Sequence, residues 1–278
     1  MTGSDLAIII RESGERTADF CRERLLAETG GGPVIAVGGG SFPDTLRRSL
    51  LAGIDAGCRW TLCVDADVVP TPGAVTALVA RAEALDRPVF ELQAMVLDRL
   101  FGVRRPAGNH LYRTALLPQA LERIPADEMV LRPESAMILA MAAQGHSWWQ
   151  DDMVFGLHDF GQWSRDIARK VYVQAAKFQR FLPFLQERFM VGAAAGEVDF
   201  LVARAALEIA ATSTVRPVLD AARLADLSAD ILARAGIVEG PGLSASAASS
   251  LLDQAVAAGR MGPRTEAEIQ FAPRLGYL

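Results

Sequence analysis

Trp60-Thr61-Leu62-Cys63-Val64-Asp65-Ala66-Asp67 runs an apolar stretch into two aspartates separated by one residue. Trp60–Val64 has the length of a buried strand and is too short for a stable helix. Alternate residues of an extended chain point to one side, so Asp65 and Asp67 are expected to face the same way where the strand ends. Two hard carboxylate ligands so placed suit magnesium or manganese beside a phosphate. The plainer alternative is a pair of loop aspartates capping the helix that Pro72 opens. A bare spacing of two aspartates is weak evidence, and its position after a buried strand strengthens it.

Working outward, the same punctuation recurs on both sides. Leu6–Ile10 and Pro33–Val37 are predicted strands, the second following the break at Gly30-Gly31-Gly32. Glu15–Glu28, Pro43–Ala56 and Pro72–Leu85 carry helical periodicity, and Val89–Leu97 is a fourth strand. Such alternation implies parallel strands covered by helices, an α/β sandwich whose functional groups gather at the carboxyl ends of its strands. The second half changes character. Gly102–Asn109 reads as a loop, Thr114–Arg123 and Glu134–Gln144 as helices, and Gln162–Phe178 as a longer helix. His146–Trp149 and Met153–His158 are predicted short strands around a turn at Gln150-Asp151-Asp152. Beyond Arg180 only helices are expected: Leu182–Ala193, Val198–Thr212, Val215–Leu227, Ala229–Ala235 and Ala245–Ala258. The predicted division is therefore a catalytic domain over 1–180 and a mainly helical region over 181–278.

With 278 residues, 51% hydrophobic and 22% charged, the chain can bury a sizeable core, which excludes disorder as its dominant state. A net charge of -5 argues against nucleic acid as partner. Lys170 and Lys177 are the only lysines, a bias that reads as genome composition. Cys21, Cys58 and Cys63 have neither disulfide-framework nor zinc spacing. The N-terminal apolar run lacks a basic flank, and no run approaches the roughly 18 apolar residues of a membrane span, so a cytoplasmic protein is expected.

Several segments taken in order resemble the glycosyltransferases of the GT-A fold, especially family 2-like members. The resemblance covers roughly residues 6–178. It comprises the strand exit Arg11-Glu12-Ser13-Gly14-Glu15-Arg16, the turn Val37-Gly38-Gly39-Gly40-Ser41-Phe42-Pro43-Asp44-Thr45, and Asp65-Ala66-Asp67 followed by Pro70. It continues through Gly108-Asn109-His110-Leu111-Tyr112-Arg113, Pro133-Glu134-Ser135-Ala136-Met137-Ile138-Leu139 and Gln144-Gly145-His146. Glycines 38 and 39 stand where the family often has a base-reading aspartate, and Ser135 stands where it has its catalytic aspartate.

The resemblance implies a Rossmann-like, three-layer GT-A sandwich, to which the helical pattern outside it adds a C-terminal helical appendage. It implies transfer of a sugar from a nucleoside diphosphate donor, UDP-sugars included, to the hydroxyl of a glycan, lipid-linked or small-molecule acceptor. Asp67 would ligate manganese or magnesium directly, with Asp65 shared between metal and ribose or reached through water. His158 would be the third protein ligand, because such enzymes place a histidine after the acceptor helix; Asp159 would orient its ring or cap the next helix. Arg11, Glu12, Arg16, Ser41 and Asp44 would line the donor site, and Gly108 and Asn109 the sugar pocket. Glu134 would be the catalytic base, with Asp127, Glu128, Asp151 and Asp152 as rivals. Trp148 and Trp149 are candidates to stack on a sugar ring. The helical appendage is expected to pack beside the acceptor side of the cleft or to be covered by a second copy in a homodimer. Two alternatives remain open: a non-catalytic nucleotide-sugar-binding module, and a haloacid-dehalogenase-like phosphatase with Asp65 as nucleophile.

Overall fold

Ile8 and Ile10 face one side of the first strand and Ile9 the other, and all three are fully buried because helices cover both faces of the sheet. The computed structural model describes residues 5–86, 88–126, 130–271 and 276–277. In chain order the strands are β1 (Leu6–Glu12), β2 (Val34–Gly38), β3 (Trp60–Asp65), β4 (Val68–Pro70), β5 (Glu91–Asp98), β6 (Arg104–Pro106), β7 (Asn109–Arg113), β8 (Trp148–His158) and β9 (Gly276–Tyr277). The helices are α1 (Ala18–Leu26), α2 (Phe42–Ala56), α3 (Ala74–Ala84), α4 (Leu117–Leu121), α5 (Pro133–Ala142), α6 (Ser164–Lys177), α7 (Leu182–Ala194), α8 (Val198–Ala210), α9 (Ala225–Ala235), α10 (Ala245–Ala257) and α11 (Glu266–Phe271).

The strands form a single sheet in the order β2-β1-β3-β7-β5-β8-β4, with β6 on β5 and β9 on β8. Leu25 of α1 and Val75 and Leu78 of α3 pack against Ile8, Leu62 and Phe155 on one face. Leu46 and Leu50 of α2, Leu117 of α4 and Met137 and Met141 of α5 pack against Ile9, Cys63 and Tyr112 on the other. This is the three-layer α/β sandwich that the sequence implied. Ser41 caps α2 by accepting from the Asp44 amide at 3.4 Å, and Pro43 starts its first turn.

The sheet is mixed, not parallel throughout. β1 pairs in parallel with β2 and β3, but β7 lies antiparallel between β3 and β5, and β4 runs antiparallel to β8. β7 and β6 occupy sequence read as loop or pocket lining. Gln150-Asp151-Asp152 is not a turn: β8 is one eleven-residue strand, whose register against β5 slips between Gln93 and Val96. Arg81 and Arg264 neutralise Asp151 and Asp152. Val215–Leu227 is not one helix: 215–221 are irregular, since Pro217 removes a backbone donor and biases Arg216 away from helical geometry, and the last three residues already belong to α9. β9, too, is a short strand where only helices were expected.

A second core joins Ile167 and Val171 of α6 to Leu185 and Phe189 of α7, Phe200 and Val202 of α8 and Ile231 of α9. Leu252 and Ala255 of α10 pack on Val69, Leu97 and Leu157 of the sheet. Arg104 further binds Glu268, so the C-terminal stretch returns to the strands. Among the described residues no helix is long and apolar enough to cross a membrane.

Candidate functional site

β3 ends at Asp65, and Ala66-Asp67 turns the chain into β4. The period-two rule stops with the strand, and the two carboxylates take different partners. Asp65 lies in register with Arg11 on β1, and Arg11 Nε donates to Asp65 Oδ1 at 2.7 Å. Asp67 instead meets the carboxyl ends of β5 and β8. Asp65 is bound by Arg11 and is not among the donor atoms close enough to share one ion.

Asp67 belongs to a buried cluster with His158 and Asp159, the group among the described residues whose donor atoms are close enough to share a metal. Register builds it: His158 pairs with Val68 on β4 and Asp98 on β5, and the Asp159 amide donates to the Asp67 carbonyl at 3.3 Å. Two glycines let the backbones approach. A Cβ on Gly156 would meet the Val69 carbonyl at 2.2 Å, and one on Gly108 would meet Val68 at 2.5 Å and His158 at 3.4 Å. His158 Nδ1 bonds Asp98 Oδ2 at 2.8 Å, which leaves Nε2 facing Asp67 Oδ1 at 3.6 Å. Asp98 is also bound by Arg105 Nε at 2.8 Å, and its carboxyl is held well below the usual range: burial opposes ionisation, and Arg105 and His158 outweigh it.

Lys170 of α6 donates to Asp67 Oδ2 and to Asp159 Oδ1. Burial works against the charged Asp67 carboxylate, but Lys170 and then His158 pull its pKa down to about 2. Burial also disfavours imidazolium, yet Asp159, Asp67 and Asp98 raise His158 to about 9. Asp67 Oδ1 and Asp159 Oδ2 are buried and accept no hydrogen bond from the described residues; the latter lies 3.2 Å from the His158 Nδ1 already committed to Asp98. Asp159 also adopts φ of 63°, a left-handed conformation unusual for a residue other than glycine. Orphaned carboxylate oxygens beside a histidine whose Nε2 makes no hydrogen bond fit a divalent cation, which would displace the proton that nitrogen holds.

The other predicted residues fall into a second network. Arg11 is 3% exposed; its Nη1 donates to Glu134 Oε1 at 2.7 Å. Tyr112 donates to the same oxygen at 2.5 Å, and His110 Nε2 lies 3.0 Å from Glu134 Oε2. His110 Nδ1 also bonds Glu91 at 2.8 Å. Burial opposes the Glu134 charge, but Arg11 and His110 hold its carboxyl far below the usual range, so it is a poor proton acceptor. This tells against Glu134 as base. Ser135, next to it, is exposed.

Asn109 corrects another expectation. It is fully buried, accepts from Ala94 N and spends both amide hydrogens on Ala94 O and Ala107 O, bracing β5, with no donor left for a sugar. Gly108 accepts from the Asp65 amide at 2.8 Å and shapes the site through its backbone. Ser41 and Asp44 bond each other at 2.7 Å in the α2 cap, while Glu12 pairs with Arg22 at 3.4 Å. Arg16 donates to the Pro241 carbonyl and stacks on Trp163, tying the first loop to the C-terminal stretch. Trp148 and Trp149 pack toward opposite faces of the sheet. Asp127 and Glu128 lie outside the described residues.

The contributions missed in the sequence are Asp98, Asp159 as a carboxylate of the cluster, and Lys170. Lys170 did carry a signal: in an arginine-rich chain both lysines lie on α6, seven residues apart and thus on one side of the helix.

No protein-family model matches the chain, and no curated protein matches it. Solved structures do. A glycosyltransferase involved in glycosylation of the major capsid of PBCV-1 matches at 14% identity over 56% of this chain and 93% of that one, TM-score 0.42. A mannosyltransferase from Pyrobaculum calidifontis, solved with GDP-Man and Mn2+, matches at 17% identity over 96% and 82%, TM-score 0.41. CMP:2-keto-3-deoxy-manno-octonic acid synthetase with CTP matches at 12% identity over 55% and 91%, TM-score 0.34.

Proposed function

We propose that the chain is a glycosyltransferase that moves a sugar from a nucleoside diphosphate donor to an acceptor hydroxyl. Asp67, His158 and Asp159 would hold its divalent cation. The observation that carries the metal site is the pair of buried carboxylate oxygens without hydrogen bonds, Asp67 Oδ1 and Asp159 Oδ2, beside His158. The sugar-donor chemistry rests on the sequence resemblance, whose strand exit and first aspartate lie side by side at the ends of β1 and β3. An imidazole donor favours manganese over magnesium. A bound cation would offset charge on the departing diphosphate.

The chain's own residues divide the remaining work. Asp65, with 28% of its side chain exposed, offers a carboxylate oxygen to the donor while Arg11 fixes its orientation. Arg11 and Glu134 are positioning residues here. The catalytic unit spans residues 1–180 and 181–278 form its appendage, with α6 packing into the appendage's core. Titration of manganese into the protein with UDP or GDP, followed by assay of nucleotide-sugar hydrolysis, tests this reading. Metal-independent diphosphate binding would refute it. The occupied Glu134 favours a second reading, a nucleotide-sugar-binding module without turnover; tight manganese-dependent binding with no hydrolysis or transfer would select it. The phosphatase alternative is disfavoured, because Lys170 binds Asp67 and Asp159 while Arg11 takes the would-be nucleophile Asp65.

A further inference from the structure

Asp67 and Asp159 already share a cation. Lys170 donates to one oxygen of each, and the second oxygen of each is the one left without a hydrogen bond. Only 14% of the Lys170 side chain is exposed, so water screens this ammonium poorly. A divalent ion entering beside an unmoved Lys170 would place three positive charges on two carboxylates. Those carboxylates are backed by Asp98, but Asp98 is committed to Arg105 and His158. Metal and ammonium therefore compete for the charge of the same two carboxylates, through different oxygens of each.

Where the ammonium can go follows from its chemistry and position. Lysine is a compact point charge on a flexible four-carbon stem, and its three donors can be aimed afresh, unlike the planar fork of arginine. Ala66, next to the Asp67 that Lys170 binds, donates to the Arg11 carbonyl at 2.9 Å and accepts from Thr17 at 2.8 Å, so Lys170 reaches a turn braced by both ends of the loop that leaves β1. That loop is on the donor side of the proposed site. A diphosphate arriving there supplies anionic oxygens that can replace the two carboxylates as acceptors.

We propose that Lys170 is an exchangeable counter-ion: it neutralises Asp67 and Asp159 when the site is empty, and passes to the donor diphosphate when a divalent cation takes its place. The inference rests on the metal reading above. It makes metal and nucleotide binding mutually supportive, since each creates the conditions the other needs.

The test is calorimetric titration of manganese into the full chain, alone and with saturating UDP or GDP. In the parent, diphosphate should tighten manganese binding about tenfold or more. Lys170→Met should bind manganese about tenfold more tightly than the parent without nucleotide, lose most of that coupling, and bind diphosphate about tenfold more weakly at saturating manganese. These opposite shifts separate exchange from a merely structural role, which would weaken both ligands, and from a plain phosphate contact, which would weaken nucleotide alone. Nucleotide-free manganese affinity no higher in the variant than in the parent overturns the proposal. Should Lys170→Met fail to fold, Lys170→Arg keeps the charge but not the mobility, and its manganese affinity should stay weak with or without diphosphate; parent-like coupling in that variant overturns the idea equally. Asp67→Asn separates the two levels of inference. If the parent binds manganese with diphosphate and Asp67→Asn does not, the metal site stands whatever the Lys170 variants show, whereas no manganese binding by the parent removes both.

Discussion

Replacing Arg11 by methionine removes the cation that joins the two central carboxylates while keeping most of the apolar volume. Arg11 lies 2.7 Å from both Asp65 and Glu134, and its side chain is 2% exposed. Breaking a buried pair by deleting one partner typically costs about 3–5 kcal/mol, because a buried charge is left uncompensated. Glu134 keeps Tyr112 and His110, and Asp65 is partly solvated, so the lower end, about 3 kcal/mol, is expected. Urea denaturation should show a lower midpoint at unchanged slope. Adding Glu134→Gln should recover part of the loss, since the second substitution removes the orphaned charge. Arg11→Met within about 1 kcal/mol of the parent, or a double variant losing the full sum of the singles, would refute the idea of a positioning network. Strongly reduced diphosphate affinity at parental stability would return Arg11 to the donor contact the sequence suggested.

His158→Ala should weaken manganese binding in the presence of diphosphate by about tenfold or more and narrow the preference for manganese over magnesium, since loss of the nitrogen donor leaves oxygen ligands; an unchanged preference would show the imidazole is structural. His110 gives a pH signature: burial alone would lower its pKa, but Glu134 and then Glu91 raise it to about 9 from an unfolded value near 6.5. Its stabilisation is therefore full below pH 6.5 and lost as pH rises through 9, at most about 3 kcal/mol. Because His158 titrates with the same sign and Lys177, lowered to about 8 by burial and neighbouring arginines, with the opposite one, the comparison is parent against His110→Asn, whose stability should fall less steeply across that window. Truncation after Arg180 should yield insoluble or misfolded protein, because it strips α7, α8 and α9 from the buried face of α6; a soluble, monomeric, fully active fragment would contradict this.

The strand–helix alternation was legible because hydrophobic periodicity is a local property, and α2 lies within one residue of its predicted start. Strand order was not. β7 enters between β3 and β5 through pairings that no short window contains, and a five-residue segment carrying Asn109, His110 and Arg113 has little apolar signature. Asp151-Asp152 imitated a turn because the arginines that neutralise them are distant in sequence. Asn109 imitated a ligand residue for a related reason: the same amide that can bind a sugar can replace backbone partners on a neighbouring strand.

The aspartate pair shows where the reasoning from spacing stops. Asp65 and Asp67 share a side only while the chain stays extended, and the turn at Ala66 sends them to different networks. Asp65 joins Arg11, a planar fork locked between two acids; Asp67 joins Lys170, a single mobile charge. The distinction matters because both networks are buried and acidic, and each needs cations to be stable at all. An arginine donating at 2.7 Å to Asp65 and to Glu134, whose second oxygen meets His110, leaves no buried carboxylate oxygen without a partner, only its own Nη2. A lysine shared by Asp67 and Asp159 satisfies one oxygen of each and leaves the other two without hydrogen bonds. The first arrangement is suited to holding geometry, the second to being exchanged for a cation of higher charge. That difference in chemistry, rather than the spacing of the aspartates, locates the metal at the ends of β5 and β8 and assigns the end of β1 and β3 to orientation of the donor.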